Sequence, residues 1–331
     1  MKTTILFSSV GRRTQLIQCF RCALKKMGLE GYFVGIDATR SAPAAHFVDE
    51  FIHVPRCDAP NFVEIVSELC RVKNVALLLP IIDAELLLYA LRAEEFANFG
   101  TRVAISSPGA IDLCLDKRKS NRWLTENGFP TVRQTTIELM LRRPEEWRFP
   151  LIAKPRCGSA SVGVRVLRSM DSAHEQAKES LDLIVEEIAE GDEYTVNAFV
   201  NRSGRCVCAV PHHRLEVRAG EVSKGITAKN AKIMRLITEV VERMPGAYGP
   251  LNVQGFLAKD GVFKITEINP RFGGGYPLAH EAGVDFPRWL LDELLNFRSV
   301  NFFEDWQDGL AMLRYDSAVF LPVHQIQDRQ S

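Results

Sequence analysis

Apolar positions in the first hundred residues fall into two alternating rhythms. Residues 3–9, Tyr32–Asp37, Phe51–Pro55, Val75–Pro80 and Val103–Ser106 are short runs dense in Ile, Leu, Val and Phe. Val75-Ala-Leu-Leu-Leu-Pro80 is apolar throughout, the pattern of a strand buried on both faces. Between these runs the spacing turns helical, from Arg13 to about Met27, from about Asn61 to Val72 and from Ala84 to Phe96. Strands alternating with helices predict βαβ units and a Rossmann-like parallel sheet in the α/β class. Such a sheet binds ligands at the carboxyl ends of its strands, where Gly11, Arg12, Asp37, Asp83 and Glu85 fall. The Gly-x-Gly-x-x-Gly fingerprint is absent after the first strand, which argues against NAD. Arg12 and Arg13 read equally as an anion site at a helix start or as a solvated pair.

From about residue 108 the rhythm changes. Pro108-Gly109 opens a helix, and Asn127-Gly-Phe-Pro130 closes the next. Strands are predicted at Phe149–Pro155, Val164–Leu167, Asp182–Ile188, Glu193–Val200, Arg205–Val210 and His212–Arg218. Ala219–Gly225 reads as a polar loop and Ala228–Met244 as a helix. Another helix is predicted near Phe286–Leu295 and a late strand near Tyr315–Phe320. Three segments are expected: a Rossmann-like unit at 1–110, linker helices with a lid at 111–190, and a metal-binding catalytic unit with its tail at 191–331.

Leu251–Ala258 and Val262–Asn269 flank Asp260-Gly261, a strong hairpin signal. With the turn there, Gln254 lies opposite Glu267 and Asn252 opposite Asn269, all on one face. Arg271 follows at the strand end, ahead of Gly273-Gly-Gly275. One carboxylate, several amide oxygens and a guanidinium suit Mg²⁺ carrying a polyphosphate; the alternative is a solvated edge hairpin. Upstream, Lys154-Pro155 leads into Arg156-Cys-Gly-Ser-Ala-Ser-Val-Gly163, a small-residue loop between two strands. Such a flap can cover phosphates with backbone N–H groups and hydroxyls, with Lys154 beneath. It is not the Gly-Lys-Ser/Thr loop that opens a helix.

Bulk composition removes several classes. The 331 residues are 46% hydrophobic and 25% charged, with net charge zero. That argues against bulk electrostatic binding to nucleic acid or acidic membrane. No apolar run reaches bilayer length, and the first residues lack signal-peptide architecture, so a cytoplasmic protein is expected. The eight cysteines lack zinc-finger spacing and read as reduced thiols.

The order Asp116-Lys117, Lys154 with its flap, Glu186-Glu-Ile188, Gly191-Asp-Glu193, Gln254 and Glu267-Ile-Asn-Pro-Arg271 resembles the ATP-grasp superfamily. Within it, the chain resembles short proteins similar to one half of the carbamoyl phosphate synthase large subunit, over roughly residues 3–290. The resemblance implies a two-lobed α+β unit after the Rossmann-like domain, with ATP and Mg²⁺ (or Mn²⁺) as cofactors. It implies that Lys117 and Lys154 contact phosphates beneath Ser159, Ser161 and Gly163. Glu187 and Ile188 would meet adenine through backbone, with Glu186 close by, and Glu193 would hold the ribose. Gln254, Glu267 and Asn269 would bind metal, and Arg271 would stabilise the transferred phosphoryl together with Lys154.

The implied reaction is an ADP-forming carboxylate–amine ligation through an acyl phosphate. Its alternatives are a bicarbonate or carbamate-type ligase and a nucleotide-binding subunit without turnover. One ATP-grasp unit and no glutaminase-like unit argue against complete carbamoyl phosphate synthesis. Arg214, Glu216 and Arg218 share a predicted strand face and read either as a grip on substrate carboxylate and amine or as a solvated charged face. Asp83 and Glu85 read either as substrate contacts or as helix caps. Gly274 would let backbone approach the acyl phosphate. The expected partners are a small carboxylate and an amine, with neither nucleic acid nor membrane; a homodimer is the assembly to test.

Overall fold

The computed structural model describes residues 2–158, 162–180, 182–296 and 298–323. Ser159 and Ser161, expected in the flap, lie outside the described residues. The first unit runs β1 (Thr3–Ser8), α1 (Thr14–Lys26), β2 (Gly31–Asp37), β3 (Glu50–His53), α2 (Phe62–Val72), β4 (Leu77–Pro80), α3 (Asp83–Leu91), α4 (Ala93–Asn98) and β5 (Arg102–Val103). Its strands form a parallel sheet in the order β3-β2-β1-β4-β5. The helix predicted over 84–96 is broken at Arg92, whose φ of −115° is not helical. The strand predicted at 103–106 shrinks to Arg102–Val103 at the sheet edge.

Two helices, α5 (Pro108–Leu115) and α6 (Lys117–Glu126), lead to a small antiparallel sheet. It contains β6 (Gln134–Thr136), β7 (Leu151–Pro155), β8 (Arg165–Leu167) and β9 (Leu183–Glu187), with α7 (Ile137–Arg142) and α8 (Met170–Glu179) packed on it. Its core, built on Ile137, Met140, Leu151 and Val185, is separate from the others.

The last unit holds β10 (Asp192–Val200), β11 (Cys206–Arg218), β12 (Glu221–Thr227), α9 (Ala231–Arg243), β13 (Gly249–Leu257), β14 (Phe263–Asn269), α10 (Tyr276–Glu281), α11 (Phe286–Leu294) and β15 (Ala311–Leu313). Its six strands pair in the order β14-β13-β10-β11-β12-β15. The polar loop expected at 219–225 is instead a tight turn at Ala219-Gly220, with φ of +48° and +77°, feeding β12. Val222, Ser223, Gly225 and Thr227 are buried there, so tertiary packing overrides the segment's polarity. The late strand lies at 311–313, where β15 pairs with Lys224–Ile226; residues 315–320 have no partner strand among the described residues.

One hydrophobic core joins the first and last units. Phe7, Ile17 and Phe20 pack with Phe199, Phe272, Tyr276 and Phe286 through α1, α10 and α11. Phe20 meets Phe272 edge-on with centroids 5.8 Å apart. Close-packed interiors transmit little slack, so the carboxyl ends of the parallel sheet are held in fixed relation to the β13–β14 hairpin. Among the described residues, no helix is long and apolar enough to cross a membrane.

Candidate active site

The hairpin sets the site. Asn252 pairs with Asn269 and Gln254 with Glu267, the register predicted from the Asp-Gly turn. The route differs from a two-residue turn. Gly261 N–H bonds Ala258 O and Ala258 N–H bonds Val262 O, leaving Lys259, Asp260 and Gly261 in the loop. That pairing would place every later residue one position out. A bulge at Thr266, between the Gln254 and Gly255 pairs, restores the offset. The bulge brings Glu267 and Asn269 onto the face of Gln254.

These side chains line a cleft of about 370 Å³ closed by Ile81, Ile82 and Asp83 from the first unit and by Arg13, Glu193, Thr195, Arg214, Glu221, Arg271, Gly274 and Gly275. Arg271 donates to Asp83 twice, Nε to Oδ1 at 2.8 Å and Nη2 to Oδ2 at 2.6 Å. Burial opposes the Arg271 charge, and the adjoining Asp83 carboxylate more than offsets this, raising its pKa. Asp83 thus lines the cleft in the first turn of α3 with both carboxylate oxygens engaged by Arg271, which it anchors.

Glu85 is not in the cleft. Its fully buried carboxylate accepts from Ser8 Oγ (2.6 Å), Ser9 Oγ (2.7 Å) and the N–H groups of Ile81 (2.7 Å) and Ile82 (3.3 Å). Burial raises its pKa against these bonds. It ties β1 and the β4–α3 turn together, which corrects the substrate reading.

Glu216 and Arg218 also stand apart from the cleft. Bulges on either side of Glu216 break the alternation that would have put them on the face of Arg214. Glu216 instead pairs with Arg218 (2.9 Å) and Lys224 (2.7 Å). Arg214 does line the cleft, with Val217 beside it. It donates to Glu193 Oε1 at 2.5 Å and to Gly220 O at 3.0 Å, and its Nε is buried without an acceptor among the described residues. Glu193 has its pKa raised by burial, against the pull of Arg214.

The small sheet presents the remaining residues. Lys154 Nζ lies 2.7 Å from Glu186 Oε2, and Gln134 Nε2 bonds the other Glu186 oxygen at 2.7 Å. Glu187 is held by Lys264 Nζ at 2.9 Å and accepts from Arg133 N–H at 3.2 Å. Ile188 follows, exposed, in the connection to β10. Lys117 bridges both sides of the site: its Nζ donates to Gly158 O in the flap at 2.5 Å and lies 3.8 Å from Glu267 Oε1. Gly163 has a φ of +76°, and a Cβ there would meet Pro155 at 2.8 Å, so this end of the flap needs glycine.

Glu267, Gln254, Asn269 and Asn252 offer one carboxylate and amide oxygens. Among the described residues, no group of three or more His, Cys, Asp or Glu side chains could hold a metal. This weakly charged oxygen set fits Mg²⁺ that brings phosphate oxygens with it, and does not fit a self-sufficient metal cage.

Sequence reasoning missed Thr195, Glu221 and Val217 on the cleft wall, and Arg314 behind it. Glu221 was hidden in an apparent loop; Arg314 reaches the site only through β15 pairing, which has no local signal.

Residues 5–104 match the family model described as PylC-like, N-terminal domain, and residues 114–275 match that of the ATP-grasp domain. The carbamoyl phosphate synthase large chain of Thermomicrobium roseum is 24% identical over 210 residues, covering 58% of this chain and 19% of that protein. That of Kocuria rhizophila is 26% identical over 207 residues, covering 57% and 19%. The match thus spans about a fifth of the length of these relatives.

Among solved structures, the biotin carboxylase domain of Hydrogenobacter thermophilus 2-oxoglutarate carboxylase aligns with a TM-score of 0.75 at 18% identity, covering 94% of this chain and 73% of that one. N5-carboxyaminoimidazole synthetase from Staphylococcus aureus aligns at 0.73 and 17%, covering 92% and 80%. L-amino acid ligase from Bacillus licheniformis aligns at 0.68 and 17%, covering 89% and 74%. At these identities the likeness is one of fold. A Rossmann-like parallel unit, a small antiparallel sheet with a glycine-containing flap, a hairpin of oxygen donors ending in arginine, and the domain match at 114–275 together make this chain a member of the ATP-grasp superfamily.

Proposed function

We propose that the chain is an ATP-dependent ligase that activates a carboxylate as an acyl phosphate and joins it to an amine, releasing ADP and phosphate. The observation that carries this reading is the position of Lys117, which touches the flap at Gly158 and the hairpin at Glu267. A polyphosphate lying between flap and hairpin would meet both the oxygen donors and the cations.

In this reading Lys117, Lys154 and the flap backbone hold phosphates. The backbone at Glu187 and Ile188 meets adenine, with Glu186 nearby orienting Lys154, and Glu193 meets the ribose. Bound Mg²⁺ or Mn²⁺, held by Glu267, Gln254 and Asn269, would neutralise charge across the terminal phosphates. Asp83 aims the Arg271 guanidinium at the moving phosphoryl, where a prepositioned cation acts without reorganisation. A substrate carboxylate oxygen bonds the γ-phosphorus as the bond to the ADP oxygen breaks. The amine then bonds the acyl carbon, phosphate departs with the electron pair, and the amine loses a proton. Closure of the flap keeps water from the acyl phosphate.

ADP release measured across carboxylates and amino acids tests the reading. Glu267→Gln should abolish ADP formation while unfolding at a similar temperature; full activity in that variant would sink the metal assignment. A second reading takes bicarbonate as the carboxylate. It is supported by the likeness of fold to the Hydrogenobacter domain, which was solved as a dimer with MgADP, ADP and bicarbonate. ADP release driven by bicarbonate without another carboxylate would favour it. The same relative motivates a homodimer, checked by sedimentation.

A further inference from the structure

The cleft wall contains an ion-pair cluster that the phosphoryl chemistry does not use. Arg13, the residue ahead of α1, places Nη1 2.9 Å from Glu221 Oε1. Arg314, one residue beyond β15, places Nη1 3.1 Å from the other oxygen, Oε2. Its Nη2 donates to Gly274 O, and its Nε is buried without an acceptor among the described residues. Arg13, Glu221 and Gly274 line the cleft, while Arg314 stands behind them. A Cβ on Gly274 would fall 2.7 Å from Arg13 Nη1 and 2.8 Å from the Glu221 carboxylate, so the glycine lets this pair sit against the backbone.

One carboxylate between two guanidiniums leaves a local charge of +1. Among the described residues Arg13 makes one ion pair, with Glu221, against its five N–H donors. Burial opposes the Glu221 charge, but Arg13 and Arg314 more than offset this and hold its pKa below the usual range, so it stays ionised. A guanidinium with donors to spare beside an ionised carboxylate matches a ligand with both charges on one head.

We propose that Arg13 and Glu221 are the subsite for an amino acid: its α-carboxylate lies against Arg13 and its amino group against Glu221. Arg314 is a positioning residue that fixes Glu221 and the Gly274 carbonyl. This rests on the ligase reading and deepens it, naming a zwitterionic amino acid rather than ammonia or bicarbonate as the second substrate. It also makes residues 311–314, which lie beyond both family matches, part of the working site.

The test uses the full chain, each of the standard amino acids, ammonium and bicarbonate, with two readouts: ADP release, and the unfolding-temperature shift on adding amino acid with a non-hydrolysable ATP analogue. Some amino acid should stimulate ADP release and raise the unfolding temperature. Arg13→Gln and Glu221→Gln should raise KM for that amino acid at least about tenfold while KM for ATP holds within about twofold. Arg314→Gln should do the same, with partial recovery in Arg314→Lys. Unchanged amino-acid KM, or equal loss in both KM values, overturns the assignment. ADP release with ammonium or bicarbonate and none stimulated by an amino acid overturns it while leaving ATP-dependent ligation intact. Absence of ADP release under every condition counts against the ligase reading; a binding shift that persists in Arg13→Gln then refutes the subsite on its own.

Discussion

Arg271 and Asp83, 188 residues apart, meet in a two-point ion pair at the end of the cleft. Each brings a different unit to the site, since Asp83 begins α3 and Arg271 follows β14. Both side chains are about seven-eighths buried, so the pair is little screened by water. Removing one partner leaves an uncompensated buried charge, which typically costs about 3–5 kcal/mol. Asp83→Ala should therefore lower stability by roughly that amount and slow ADP formation, because Arg271 loses its aim. Asp83→Glu should recover part of both. Urea unfolding and steady-state kinetics check this; a variant as stable and as fast as the parent would remove Asp83 from the account.

Glu85 lies two residues further along α3 and is expected to behave differently. Its four hydrogen bonds are all to the chain itself. Glu85→Ala takes the acceptor from Ser9 Oγ and two backbone N–H groups, while Ser8 Oγ keeps Tyr89 Oη at 2.8 Å, and should cost about 3 kcal/mol. At a temperature where the variant is folded, KM for each substrate should be near the parent value. A selective rise in one substrate's KM would return Glu85 to the substrate site.

The contrast between Asp83 and Glu85 marks what the sequence makes legible. Strand-end placement selected both residues, because period and topology are local properties. What each side chain meets depends on Arg271 and on Ser8 and Ser9, which only tertiary packing supplies. The hairpin was legible from Asp260-Gly261 and alternation, which act within twenty residues, but its Gln254–Glu267 register holds because the Thr266 bulge cancels the extra loop residue. The compensating bulge at Thr266 was not legible, and neither were the bulges that turn Glu216 and Arg218 away from Arg214. The residues proposed to hold metal and phosphate carry recognisable spacing; Glu221 and Arg314 do not, because Arg13 lies on another unit and Arg314 is 93 residues from Glu221 along the chain.

His212 predicts a pH dependence. It is fully buried on β11, Asn197 Nδ2 lies 3.4 Å from its Nδ1, and its Nε2 has no partner among the described residues. Burial, then the charges of Arg214 and Arg314, push its pKa down from 6.5 to about 3. Between those values the unfolded chain binds a proton that the folded chain does not. Stability from this residue is thus complete above pH 6.5 and falls as pH drops toward 3. The slope approaches about 1.4 kcal/mol per pH unit. Between pH 6.5 and 5, His212→Gln should lose about 2 kcal/mol less than the parent, read from urea unfolding. Parallel pH profiles would show that His212 is protonated in the folded protein.

Gly273 offers a steric test of the proposed metal face. A Cβ there would fall 1.6 Å from Asn252 Nδ2 and 2.7 Å from its Cγ, far inside contact distance. Its φ lies outside the left-handed region, so alanine meets a clash and no backbone penalty. Asn252 is buried, faces Asn269 across the hairpin and accepts a long bond from Gln254 Nε2 at 3.5 Å. Relief of the clash must move Asn252, and with it the two amide donors beside Glu267. Gly273→Ala should slow ADP formation by at least about tenfold, equivalent to about 1.4 kcal/mol in the barrier, and raise the Mg²⁺ concentration for half-maximal rate. Shortening the obstructing side chain should undo part of this. In a double-mutant cycle, Asn252→Ser should cost less in the Gly273→Ala background than in the parent, giving a coupling of about 1 kcal/mol or more. Additive losses would mean that Gly273 acts elsewhere, most directly through the neighbouring Gly274 carbonyl that Arg314 holds.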